Sequence, residues 1–156
     1  MMKKIIVILL LSIGFWACNN PETAAKKEGA PATEADHHEH ADNKTGLELN
    51  NGAKWVADSS TNNNVKNIQV ILEQFNAGTD QSMVAYKLVA DELQMGLNKM
   101  VSECKMKGPD HDALHKWLEP LIGQVKELKE ISAEADAAKL IATIHTQVNY
   151  YSQYFE

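Results

Sequence analysis

The chain has 156 residues, 15 Lys+Arg against 21 Asp+Glu, and a formal charge of −6. All of its cations are lysines, and an acidic chain without arginine forks is poorly equipped to grip nucleic acid or phosphate. The length supports one core and gives no sign of a second domain or an internal repeat.

The first element is a leader. Lys3 and Lys4 precede the apolar run "IIVILLLSIGFWA", and Ala17 stands directly before Cys18. A basic start, a short apolar stretch and a small residue make a secretory signal over residues 1–17. The run is shorter than the roughly 20 residues of a comfortable membrane span, which favours a cleaved leader; an uncleaved anchor helix is the alternative. The Ala-Cys pair resembles a bacterial lipoprotein signal, although Phe15 stands where that motif usually has leucine. The resemblance implies cleavage before Cys18, acyl chains such as palmitate on its thiol and amine, and a place in the cell envelope. The mature chain then faces the periplasm or the cell surface, and two or more acyl chains suffice for stable anchoring. Losing Lys3 and Lys4 with the leader takes the charge from −6 to −8. With Cys18 consumed by lipid, Cys104 is the one remaining thiol, so no internal disulfide can form.

Residues 18–50 read as a lipidated start and a tether. The segment is rich in Ala, Glu, Lys, Thr, Pro and His, with almost no large apolar residue before Leu47, and cannot bury enough surface to offset its ordering entropy. It contains "DHHEH", in which His37, His38 and His40 with Asp36 and Glu39 form a secondary metal tract able to hold Cu(II), Ni(II) or Zn(II) weakly without a fold. The bland alternative is a solvated linker with chance histidines. "LELNNGAKWVAD" then reads as a lead-in to the domain of residues 51–156, with a turn at Asn51-Gly52 and with Trp55 and Val56 docking on the helices.

Four amphipathic segments follow, and no strand alternation competes with them. Thr61 to Asn76 carries Val65, Ile68, Ile71 or Leu72, and Phe75 on one face, and Gly78 ends it. Asp80 to Met106 carries Tyr86, Ala90, Leu93, Leu97, Met100, Val101 and Cys104. Asp110 to Ile131 carries Leu114, Leu118, Leu121, Val125, Leu128 and Ile131. Ala133 to Phe155 carries Leu140, Ile141, Ile144, Val148, Tyr151 and Phe155. The breaks "NAGTD", "KGPD" and "SAEAD" are short, so neighbours run antiparallel. The fold class is all-α, an up-down-up-down antiparallel four-helix bundle. Pro120 removes the bond to the carbonyl of Lys116 and is expected to kink the third helix.

The corner between the second and third helices, "CKMKGPDHDALHKW", concentrates the chemistry. Gly108 and Pro109 end one helix and Asp110 is placed to cap the next. His111 and His115 stand i, i+4 on one helical face, where two imidazoles can share an ion. Cys104 and Met106 arrive from the preceding helix as soft ligands. Together Cys104, His111 and His115, with Met106 as a fourth or axial group, form a candidate copper site. Zinc is the alternative cofactor and would leave Met106 out. Against this, Cys104 falls on the apolar stripe, where a free thiol packs as a small hydrophobe, and Met106 can simply cap the core. His145 is expected near Pro120, roughly 7 Å along the axis from the level of His115, and outside the ligand set. Tyr150, Tyr151, Tyr154, Trp55 and Trp117 are expected at the same bundle end, as an aromatic lid or as ordinary packing.

The bundle pattern, the export and the C-terminal "AEADAAKLIATIHTQVNYYSQYF" are similar to the soluble periplasmic cytochromes b of the four-helix type. In that family a methionine early in the first helix and a histidine late in the last ligate haem. The corresponding positions here are Val65 and Ser152, which cannot, and there is no C-x-x-C-H. The resemblance therefore implies a bundle without haem at that position, leaving open a haem held by His111 or His115 with Met106. The layout also resembles small metal-handling lipoproteins.

Three functions follow from these readings. The first is a membrane-anchored, exported metal-binding protein that captures, sequesters or hands on copper. The second is a non-catalytic helical scaffold or interaction lipoprotein of the envelope. The third is an electron carrier using haem or copper. No enzyme is expected. The sequence offers no Ser-His-Asp arrangement, carboxylate pair or phosphate-cradling loop, and the residue after His111 is Asp112 rather than the glutamate of a zinc protease.

Overall fold

The computed structural model describes residues 46–156. The leader, Cys18 and the tract of His37, His38 and His40 lie outside these residues. Four helices carry the described fold: α1 (Ser59–Ala77), α2 (Met83–Glu103), α3 (Pro109–Glu130) and α4 (Glu134–Tyr154). Each packs on the next, α1 also packs on α4, and α2 meets α4 across the diagonal. This is the all-α up-down-up-down bundle that the short breaks require.

Each helix forms because its apolar stripe has something to face. Ile68 and Leu72 on α1 meet Leu93, Leu97 and Met100 on α2, Leu121, Val125 and Leu128 on α3, and Ile144 and Val148 on α4, in one core from which solvent is excluded. Burying each such side chain contributes about 1.5–3 kcal/mol, which offsets the conformational entropy lost on ordering the chain. Val101, expected on the α2 stripe, is instead exposed. It lies one residue past Met100, and a step of 100° carries it off the buried face.

The ends are set by local chemistry. Asp58 caps α1 by accepting the Thr61 N–H at 2.6 Å, and Ser82 caps α2 by accepting the Ala85 N–H at 3.3 Å. Gly78 closes α1, its N–H donating to the carbonyls of Gln74 and Phe75. The end of α3 is capped from another helix. Lys87 of α2 reaches across to donate its ammonium to the carbonyls of Leu128, Lys129 and Ile131. A cation at a helix C-terminus also meets the negative end of the helix dipole. At the same end of the bundle, Glu134 accepts the Met83 N–H at 3.2 Å and ties the starts of α2 and α4 together. Pro120 sits inside α3, which remains helical on both sides of it.

The lead-in is short but well tied. Leu47 is buried against the core. Asn51 and Gly52 both have positive φ, 52° and 87°, and the flanking Asn50 and Ala53 exchange both backbone hydrogen bonds. This is the two-residue turn that Asn-Gly favours. Trp55 pairs with the C-terminal segment: its N–H donates to Tyr154 O, its carbonyl accepts from Glu156, and its indole donates to Glu48 O at 2.7 Å. Val56 does not dock as expected. Its side chain is 61% exposed, and only its backbone N–H is engaged. Among the described residues no helix is long and apolar enough to cross a membrane.

Candidate metal-binding corner

The corner is built from the end of α2, the link Lys105–Gly108 and the first turns of α3. Cys104 is the C-cap of α2, its N–H donating to Met100 O at 3.0 Å. The expected cap at Asp110 is corrected. Gly108 is the N-cap of α3, with φ 68° and ψ −151°, and Pro109 occupies the first helical turn. That backbone conformation is open to glycine and strained for any residue with a Cβ. Asp110 lies one step inside the helix, and its carboxylate accepts the Val56 N–H at 3.0 Å. The residue that was to cap α3 pins the lead-in instead.

With α3 starting there, the i, i+4 spacing does what the sequence implies for the histidines. The rings of His111 and His115 meet edge to face, with centroids 4.6 Å apart, and their Nε2 atoms are 3.1 Å apart. Two imidazole nitrogens bound to one ion at roughly 2.0–2.1 Å, at angles between square and tetrahedral, lie roughly 2.8–3.4 Å apart. The observed separation falls within that span and is equally that of a hydrogen bond between the two rings. The pair faces solvent: His111 is half-buried and the His115 side chain is 51% exposed.

Glu119, four residues further along, brings Oε1 to 3.3 Å from His115 Nδ1. The tautomer that satisfies this contact carries its proton on Nδ1 and donates it to the carboxylate. The Nε2 lone pair of His115 is then directed at His111. A carboxylate behind a histidine in this way is the usual outer support of a metal-bound imidazole. Nothing in the sequence reading singled out Glu119, although the continued four-residue step from His111 through His115 points at it.

Cys104 and Met106 are placed differently. Met106 is buried in the core, and Cys104 is half-buried and packs against that core. Among the described residues, no three side chains of His, Cys, Asp or Glu come together as a group able to hold a metal ion. The structure thus brings His111 and His115 together and does not bring Cys104 to them. His145, also half-buried, lies beside Asn149 on α4. At the two positions where the resemblance to cytochromes b would place haem ligands, Val65 is buried and Ser152 is exposed.

Beneath the corner lies a polar node that sequence reasoning missed. Besides capping α1, Asp58 accepts the Lys105 N–H at 2.7 Å and the Ser60 hydroxyl at 2.8 Å. Burial pushes its carboxyl up, but the backbone N–H groups of Thr61 and Lys105 outweigh this and hold it at about 2. Asn64, buried on α1, donates to Glu103 at 2.8 Å and to Ser60 O at 2.9 Å. Tyr151 donates to Asn62 at 2.8 Å. Burial, with the charges of Asp58 and Cys104 nearby, pushes the Tyr151 phenol well above its ordinary range. Only the N-capping aspartate before "SSTNN" was a readable signal.

The aromatic residues pack inside the bundle end. Trp117 is buried and meets Tyr151 edge to face at 5.0 Å, and Tyr151 stacks on Phe155 at 4.8 Å. The Trp117 indole donates to Gln147 O and the Gln147 amide donates to Trp117 O, both at 2.8 Å. These contacts lock α3 to α4 at the level of the histidine pair. Compared with the known protein families, with curated proteins and with solved structures, the chain matches none.

Proposed function

We propose that this chain is an exported, membrane-tethered metal-binding protein that captures a transition-metal ion at His111 and His115 and passes it on without breaking a bond. The observation that carries the reading is the 3.1 Å separation of the two Nε2 atoms on an accessible helical face. Imidazole without thiolate suits borderline divalent ions, and copper(II) heads the order of affinity among them, ahead of nickel and zinc. The leader ending in Ala17-Cys18 supports export and lipid anchoring at Cys18, and the "DHHEH" tract supports ion gathering in the tether.

The test is competition of the protein with a Cu(II) chelator. The full mature chain is used with His37, His38 and His40 changed to alanine, so that the tether contributes no imidazole. Binding that disappears in the His111→Ala/His115→Ala variant supports the reading, and equal affinity of the two proteins sinks it. A second reading, a non-catalytic scaffold of the envelope, is favoured by the packing of Cys104 and Met106 into the core. It expects no difference between the two proteins.

A further inference from the structure

At the bundle end opposite the corner, where α1 turns into α2, a groove of about 340 Å³ lies between these two helices. Ile71 and Phe75 form its α1 wall, and Leu88 and Val89 its α2 wall. Beside it α2 carries Val84, Leu88 and Met95, which are 68%, 60% and 65% exposed. Their spacing, i, i+4 and i+11, puts them on one helical face. From Val84 to Met95 this stripe covers roughly 16 Å at 1.5 Å per residue, or about three helical turns. Large apolar side chains left together in water beside a groove mark a surface that a partner covers.

The charges around the groove indicate the chemistry of that partner. Among the described residues its only charged lining groups are Asp80 and Glu92, both exposed. The other acids of α2 are matched: Asp91 meets Lys129 at 2.8 Å and Glu103 meets Lys99 at 2.6 Å. Lys87, the remaining lysine of α2, is turned to the carbonyls at the end of α3. Among the described residues no lysine pairs with Asp80 or Glu92. An apolar groove bordered by two unmatched carboxylates complements a cationic amphipathic segment. A second copy of this acidic chain would bring the same carboxylates toward each other across a two-fold axis. An anionic membrane face would meet them with its own negative charge.

We propose that the α1–α2 groove docks an amphipathic helix of another protein, whose apolar side chains pack on Val84, Leu88 and Met95 while its lysines or arginines meet Asp80 and Glu92. A helix laid in a groove in this way uses anchors at i, i+4 and i+7, which the length of the stripe accommodates. The apolar anchors supply the affinity, and the charges set orientation and reject acidic partners. The surface is separate from His111 and His115 and does not depend on a metal.

The probe is a fluorescein-labelled helical peptide of leucine and lysine, with leucines at i, i+4 and i+7, beside its counterpart with glutamate for every lysine. Anisotropy is measured with the full mature chain carrying Cys18→Ser, which keeps it free of lipid. The lysine peptide should bind and the glutamate peptide should not. Leu88→Ser/Met95→Ser should weaken binding by about tenfold or more. Glu92→Lys should weaken it more than Glu127→Lys, a change at an exposed acid of α3. All four substituted side chains are exposed, so the variants should fold. No binding of the lysine peptide, equal affinity in Leu88→Ser/Met95→Ser, or equal losses in Glu92→Lys and Glu127→Lys would overturn the proposal. Sedimentation velocity and flotation with phosphatidylglycerol vesicles address the other occupants. Self-association or vesicle binding that Leu88→Ser/Met95→Ser abolishes would assign the stripe to a second copy or to a lipid surface, and would overturn it as well.

Discussion

Asp58 accepts the backbone N–H of Lys105 at 2.7 Å while its other carboxylate oxygen caps α1 at Thr61, so one side chain joins the start of the first helix to the link after the second. The corner that presents His111 and His115 is thereby fixed to α1 as well as to its own two helices. The polar node beneath the site ties the corner to the start of α1.

Replacing Asp58 tests this. Asp58→Ala removes a helix cap and leaves the Lys105 N–H without its partner, and should cost about 1–3 kcal/mol. Asp58→Asn keeps one acceptor and should cost less. Urea unfolding at neutral pH measures both.

Asp58 also fixes a pH dependence. Its carboxyl ordinarily titrates near 3.8 and is held at about 2 in the fold. A depressed pKa means that the unfolded chain takes up the proton first. The stabilisation is therefore fully present above about pH 4 and is lost as pH falls toward 2. Urea midpoints from pH 5 to pH 2 should drop in the natural chain, and part of that drop should vanish in Asp58→Asn. An identical acid profile for the two proteins would contradict the assignment.

Lys87 should matter more than a surface lysine does. Its ammonium meets three carbonyls at the end of α3, which have no other helical partner. Lys87→Met keeps the stem and removes the donor, and should cost about 1–2 kcal/mol. Lys126, exposed on α3, is the control, and Lys126→Met should stay within about 0.5 kcal/mol.

Two helical glycines should respond differently to alanine. A Cβ at Gly123 meets nothing within 4 Å, so Gly123→Ala should stabilise by about 0.5–1 kcal/mol through helix propensity alone. A Cβ at Gly96 meets the Ile68 side chain at 3.1 Å, where α1 and α2 approach closely. Ile68 is fully buried and has little room to give, so the strain there should cancel the propensity gain. Thermal melts of the two single variants distinguish them.

Much of this was legible in the sequence, and the limits have physical causes. The three-and-four spacing in each helix determines which residues are buried, because a helix repeats its faces regularly. It also places His111 beside His115, a contact within one helix. It does not say where Cys104 and Met106 point. They lie at and beyond the end of α2, where the period stops and the positive φ of Gly108 redirects the chain. Nor does it find the contact between Asp58 and Lys105, a side chain meeting a backbone N–H 47 residues away. Aspartate before an apolar period usually caps a helix, which is what points to Asp110. Pro109, whose missing N–H costs nothing in the first turn, moved the cap back to Gly108.

Metal binding at His111 and His115 is read from the imidazole nitrogens themselves. Long-range proton–nitrogen NMR spectra are recorded on the chain with His37, His38 and His40 changed to alanine, before and after one equivalent of zinc(II). Nε2 of His111 and of His115 should shift together while both nitrogens of His145 stay in place. Unmoved His111 and His115 resonances, or equal shifts in all three rings, would contradict it.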